Sequence, residues 1–264
     1  MKNKIAVLLR GLPIYFKNDR LSFNKAITSL PVRQRKTKEV RKYLKDKDAN
    51  IRLSNIYLIY RDVRFKKDRE IFRKNHLRYD ITIIYPGFLG REFPKTIGHF
   101  HLKNNPEIYE VLSGKALFLF QEISGKRNYL IKAAKGQKVI VPPEFGHITI
   151  NLGAKPLVIA NIFADNVGSD YDFFKKHHGD AYYITKPENR NLRRAAGFFN
   201  IEKNKSYKKI GKLKIGTPEE IPRLGIYFKK PLYDSFVKNP GNFEFLTNPK
   251  KFIEKLSPNN LFKF

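Results

Sequence analysis

The stretch Glu107-Ile108-Tyr109-Glu110-Val111-Leu112-Ser113-Gly114-Lys115-Ala116-Leu117-Phe118-Leu119-Phe120-Gln121 decides the fold of this chain. Two runs rich in apolar, aromatic and β-branched residues, 107–113 and 115–121, are parted only by the turn signal Ser113-Gly114, which predicts two short strands. Working outward, the same pattern repeats in 79–85, 97–102, 128–133, 137–141, 146–152 and 156–163. Pro86-Gly87, Asn104-Asn105-Pro106, Ser124-Gly125, Gly136, Pro142-Pro143 and Gly153 separate these runs. About eight strands in some 85 residues leave little room for helices, so the spacing predicts a mainly β protein built on a small double-sheet barrel. Tyr171–His178 (YDFFKKHH) predicts a short helix closing it.

The flanks read differently. Residues 37–46 place Val40, Tyr43 and Leu44 on one helical face, Asn55–Tyr60 is β-rich, and the charge-dense 61–78 predicts a solvated hairpin or loop. Beyond 186 the chain is rich in Lys, Asn and Pro, with two short helices expected at Pro231–Lys238 and Pro249–Leu256, each opened by proline. Three regions follow: an N-terminal flank 1–78 whose strands join the barrel, the barrel 79–186, and a basic C-terminal extension 187–264 with no role assigned by its sequence.

At 41% apolar and 14% aromatic side chains, 264 residues bury one sizeable core. The sequence has no cysteine, which excludes disulfides, thiolate zinc sites and a thiol nucleophile, and leaves nitrogen and oxygen donors for any metal. The apolar run Ile5–Leu9 is too short for a secretion signal, and no run approaches the roughly 20 apolar residues of a membrane span. A soluble, cytoplasmic protein is expected. The net charge of +29 is uneven: residues 1–80 hold 23 Lys+Arg against 8 Asp+Glu, residues 186–264 hold 18 against 7, and residues 81–185 hold 12 against 9. Coding bias towards Lys, Asn, Ile, Phe and Tyr accounts for such flanks, with steering of an anionic substrate and nucleic-acid binding as the functional alternatives.

Three of the six histidines fall in one pattern: Gly98-His99-Phe100-His101, then Glu107, then His147 within Val141–Asn151. On a strand His99 and His101 project to one face, roughly 7 Å apart, while Phe100 points to the other. The turn at Asn104-Asn105-Pro106 brings Glu107 alongside, and His147 arrives from a separate hairpin. Three imidazoles and a carboxylate suit Fe(II) foremost, or Mn(II), Ni(II), Co(II) or Zn(II), with positions left open for substrate oxygens. Tyr109 shares the face of Glu107, whereas Glu110 faces away and stays outside the expected site.

His99-Phe100-His101 with Glu107 and Gly114, followed by Gly136, Pro142, His147 and Asn151, resembles the two cupin motifs. Gly90–His101, Glu107-Ile108-Tyr109, Val141-Pro142-Pro143 and Ala164–Tyr171 resemble more narrowly the cupin-type phosphoglucose (glucose-6-phosphate) isomerases of archaea and some bacteria. The likeness runs from about residue 31 to 186 and is densest across 79–171. It implies a cupin jelly-roll barrel, a homodimer, and reversible interconversion of glucose 6-phosphate and fructose 6-phosphate. It implies His99, His101, Glu107 and His147 as metal ligands, and Thr82, Thr96, Gly98 and Tyr171 around the sugar phosphate, with Tyr57 added from the preceding strand. Glu107 is the expected base, with Tyr109 orienting a hydroxyl. The pattern departs at Glu144, where glycine or an aromatic is expected, at Phe163 in place of a tyrosine, and at Ser169 in place of a histidine. These departures keep open another cupin isomerase or epimerase of sugar phosphates, and the basic flanks keep open a non-catalytic sugar-phosphate sensor that binds nucleic acid through them.

Overall fold

A computed structural model describes residues 7–8, 10–187 and 199–264. Numbered in chain order, the barrel strands are β1 (Arg33–Lys36), β2 (Asn55–Tyr60), β3 (Leu77–Ile84), β4 (Phe100–His101), β5 (Glu107–Ser113), β6 (Lys115–Glu122) and β7 (Asn128–Ala134). They continue with β8 (Lys138–Val141), β9 (Phe145–Asn151), β10 (Leu157–Ala164), β11 (Ser169–Asp170), β12 (Leu213–Pro218) and β13 (Phe262–Lys263). One sheet runs β8-β5-β10-β3-β2-β1 and the other β9-β6-β7-β12-β13, while β4 and β11 form a two-stranded ribbon at the mouth. The result is a double-sheet β-barrel.

β5 and β6 do not pair, although Gly114 alone separates them. Gly114, at φ +95 and against Leu157, is the corner where the chain leaves one sheet for the other. The break expected at Ser113-Gly114 is therefore a crossing between layers, since opposite strands of a sandwich join as easily as adjacent ones. The chain crosses back between β8 and β9 through Pro142-Pro143-Glu144, with Glu144 at φ +71.

Alternation along the large sheet sets its two faces. Arg35, Tyr57, Ile59, Asp80, Thr82, Ile159, Asn161, Phe163, Glu107 and Tyr109 point into the barrel and line one cavity. Tyr79 and Glu110, of opposite parity, face outward and are covered by the C-terminal extension: the Tyr79 and Tyr233 rings meet edge to face at 5.3 Å. The extension's helix Leu232–Lys238 starts immediately after Pro231.

Other expectations change in detail. Residues 37–46 give one helical turn, Thr37–Val40, and a 3₁₀ turn, Arg41–Tyr43, because the Lys45 N–H leaves the helix to donate to Glu92 Oε1 at 2.7 Å. The supposed loop 61–78 contains a 3₁₀ turn and helix α1 (Arg69–Lys74), whose Phe72 packs on Tyr233 and Phe236. The strand expected over 97–102 is regular only at Phe100–His101, since His99 makes a single bridge to His147. The closing helix is α2 (Asp172–Lys176). In the extension, α3 (Leu232–Lys238) is as expected, whereas Pro249–Leu256 is 3₁₀ and is preceded by another 3₁₀ run, Pro240–Leu246. Among the described residues, no helix is long and apolar enough to cross a membrane.

Candidate metal centre

His99 and His147 are brought together by the backbone: the His147 N–H donates to the His99 carbonyl at 3.1 Å, and the two rings lie 4.4 Å apart. Phe100, between the two ligand-bearing positions, turns away into the packing of Phe173 and Phe174 at 5.2 and 5.3 Å. That leaves His101 on the His99 side, ring centroids 5.2 Å apart. Gly146, just before His147, has no space for a side chain, because a Cβ would lie 2.7 Å from the Phe100 and Phe174 rings. β5 supplies Glu107, whose Oε2 is 3.4 Å from His101 Nε2 and 3.2 Å from His147 Nε2.

One donor atom from each of His99, His101, Glu107 and His147 fits within a 4.8 Å span. Donors bound at about 2.0–2.2 Å to a common cation sit roughly 3–4 Å apart, so the cluster is close to a coordination shell. Glu107 Oε2 is buried with only the His101 and His147 imidazoles beside it, at 3.4 and 3.2 Å, which is what an unmet ligand looks like. The residues fit a divalent ion.

Electrostatics prepare the donors. Burial alone would raise Glu107, but hydrogen bonding and charge from His101 and His147 hold its carboxyl far below the usual carboxylate range. Burial, followed by repulsion from His147 and His101, holds His99 well below the usual imidazole range, and burial also lowers His147. His101 is buried too, yet Glu107 and the Asn105 carbonyl raise it. His101 Nδ1 donates to that carbonyl at 2.6 Å, which fixes the tautomer and turns Nε2 towards the centre. Asn161 Nδ2 donates to Glu107 Oε1 at 2.6 Å, so only Oε2 faces the imidazoles.

The other expected residues fall around the same cavity, with one exception. Tyr57, Thr82, Thr96, Tyr109 and Tyr171 line it. Tyr109 Oη lies 3.0 Å from His147 Nε2, and the Tyr171 ring lies 5.3 Å from that of His99. Tyr57 Oη accepts from the Ile97 N–H at 3.2 Å, and burial pushes its pKa up to about 12. Thr96 Oγ1 accepts from the Thr149 N–H at 3.0 Å, which ties its loop to β9. Gly98 is not among the lining residues: a Cβ there would meet Ile148 and Phe174 at 2.8 and 2.9 Å, so packing explains the glycine.

Of the three departures, Glu144 lies outside the cavity, with its side chain exposed and 4.0 Å from Arg127. Phe163 and Ser169 do line the cavity, with Phe163 stacked on His101 at 6.0 Å. Sequence reading missed Asn161, Asn105, Arg35, Arg61 and the Arg78–Asp80 pair. Arg78 is bidentate on Asp80, whereas the Nε atoms of Arg35 and Arg61 are buried with no hydrogen-bond partner among the described residues. The available signal was parity: Asn161 interrupts an apolar strand on its inward face, and Arg78, Asp80 and Thr82 alternate along theirs.

A profile of the family described as Glucose-6-phosphate isomerase (GPI) matches residues 35–197, more than half of the chain. The chain belongs to that family. The glucose-6-phosphate isomerase of Thermococcus gammatolerans is 34% identical over 143 residues, covering 54% of this chain and 74% of that protein. The glucose-6-phosphate isomerase of Pyrococcus furiosus is 37% identical over 100 residues, covering 38% of this chain and 52% of that one. Among solved structures, Bacillus subtilis oxalate decarboxylase is 24% identical at a TM-score of 0.34, over 43% of this chain and 27% of that one. The match to the glucose-6-phosphate isomerase family contains all four donors and every strand from β2 to β11, and it ends before the described part of the extension begins at residue 199.

Proposed function

We propose that this chain interconverts glucose 6-phosphate and fructose 6-phosphate with one divalent metal, Fe(II) foremost, per subunit, a reaction of glycolysis and gluconeogenesis. The observation that carries the reading is the convergence of His99, His101, Glu107 and His147, the first three of which line a cavity that also holds two arginines with unmet donors. When bound, the ion supplies Lewis-acid polarisation of the sugar's C1 and C2 oxygens. Arg35 and Arg61, with Tyr57, Thr82, Thr96 and Tyr171, supply the donors a phosphate needs. Glu107 carries the proton between C2 and C1, with Asn161 restraining its second oxygen, and Tyr109 orients a sugar hydroxyl.

The deciding experiment uses protein stripped by chelator and reloaded with Fe(II), Mn(II), Ni(II), Co(II) or Zn(II), assayed with fructose 6-phosphate. Turnover is expected only after reloading, and His147→Ala is expected to lose both metal retention and activity. Full activity in the metal-free protein overturns the reading. In D₂O, proton transfer through Glu107 labels the product carbon, whereas a direct hydride shift leaves it unlabelled. Phe163 and Ser169 on the cavity wall give a specific reason to assay other phosphorylated aldoses and ketoses in parallel. A homodimer and a cytoplasmic location belong to this proposal on family likeness alone, and sedimentation equilibrium tests the former.

A further inference from the structure

From residue 199 on, the C-terminal extension lies beyond the family match, yet two of its contacts reach the segment that carries the candidate metal donors. The loop 102–106 joins His101 to Glu107 and contains Asn105, whose carbonyl accepts the Nδ1–H of His101 at 2.6 Å. The Asn105 side chain is 8% exposed and donates through Nδ2 to the Leu246 carbonyl at 2.6 Å. Leu246 ends the 3₁₀ run Pro240–Leu246, which is pinned by the buried Phe243 and Phe245. That run follows α3, and the Leu232 N–H opening α3 donates to Glu110 Oε2 at 2.7 Å, three residues beyond Glu107 on β5. The extension therefore grips the donor segment on both sides of Glu107.

We propose that the extension sets the orientation of the His101 imidazole through Asn105, making Asn105 a positioning residue and Leu246 its anchor. A loop held only by its own turn would let the Asn105 carbonyl drift, and with it the ring it orients. Outer partners of metal-bound histidine typically change metal affinity by about 10- to 100-fold when removed. The inference rests on the metal-binding reading of this site.

Two measurements test it. In the first, Co(II) affinity by chelator competition and the visible spectrum of the Co(II) protein are compared between wild type, Asn105→Ala and the near-isosteric Asn105→Asp, with thermal melting as the check on folding. Folded variants are expected to bind Co(II) about 10- to 100-fold more weakly, with an altered spectrum and a kcat that falls more than KM rises. Wild-type affinity and spectrum in a folded variant overturn the proposal. The second uses the wild-type chain and needs no variant to fold. Coupling is reciprocal, so Co(II) must slow amide exchange in 240–248 more than in the N-terminal hairpin formed by Tyr15–Lys17 and Arg20–Ser22, which among the described residues has no such tether to the donor loop. Equal slowing in both segments overturns it. Co(II) uptake left unchanged by His147→Ala overturns the metal reading itself, a separate result that removes the basis of this one.

Discussion

At the scale of single residues, the centre depends on side chains that a motif search does not select. Asn161 and Asn105 fix Glu107 and His101, and neither has a spacing that announces it; only their burial on an inward face and in a tight loop does. The four donors were legible because the chain has only six histidines and three of them fall in one pattern with Glu107, whereas the packing that demands glycine at 98 comes from Ile148 and Phe174, far away in sequence. Asp180 shows a different residue-level effect. It is 1% exposed, and burial pushes its pKa up to about 7 against the pull of the Tyr182 backbone and the Lys95 ammonium. Tyr183 and Tyr207, both also raised by burial, feel its charge. A carboxyl raised from about 3.9 stabilises the fold fully below pH ~4, and that contribution is lost as the pH rises through about 7. Asp180→Asn is therefore expected to be more stable than wild type at pH 8, by up to about 4 kcal/mol, with little advantage at pH 4; urea midpoints at both pH values check this. Gly146→Ala is expected to destabilise by about 1–3 kcal/mol, read by thermal melting, because the new methyl meets two aromatic rings that are themselves packed.

At the scale of elements, strand existence was readable from alternation and turn residues, while strand partnership was not. Gly114 and Pro142-Pro143 mark breaks equally well whether the chain reverses within a sheet or crosses to the opposite one, since only the facing layer tells the two apart. Likewise the helix expected over 37–46 is cut short by Glu92, a partner 47 residues distant. β5 illustrates how one strand serves two layers. Its inward parity gives Glu107 and Tyr109 to the cavity, and its outward parity gives Glu110, fully buried, to the Leu232 N–H, Arg10 and Lys138. Burial is the largest influence on Glu110 and raises it, against the pull of Lys138. Glu110→Ala is expected to cost about 3–5 kcal/mol, because it strands a buried ammonium and leaves the first N–H of α3 without its acceptor. Chemical denaturation measures the loss, and a change below about 1 kcal/mol would show that the network relaxes into water.

At the scale of the whole molecule, positive charge is concentrated in the flanks, and two arginines of the N-terminal flank, Arg35 and Arg61, line the cavity itself. If this field gathers an anionic sugar phosphate, raising ionic strength from about 0.05 to 0.5 M should lower kcat/KM several-fold while kcat changes little, since distant charges are screened and bound contacts are not. An unchanged kcat/KM assigns the flanking lysines to composition. The extension also supplies β12, a parallel neighbour to β7, and covers the outer face of the large sheet. Its proline and lysine content gave no hint of this, because docking depends on an apolar surface built elsewhere in the chain. The clasp between Asn105 and Leu246 spans 141 positions. At a translation rate of roughly 5–20 residues per second, the ribosome exposes the donor loop on the order of ten seconds before its tether has been made. A nascent product that has emerged past His147 but not past Leu246 thus carries all four candidate donors without the tether behind His101, so completion of the centre waits on that later segment.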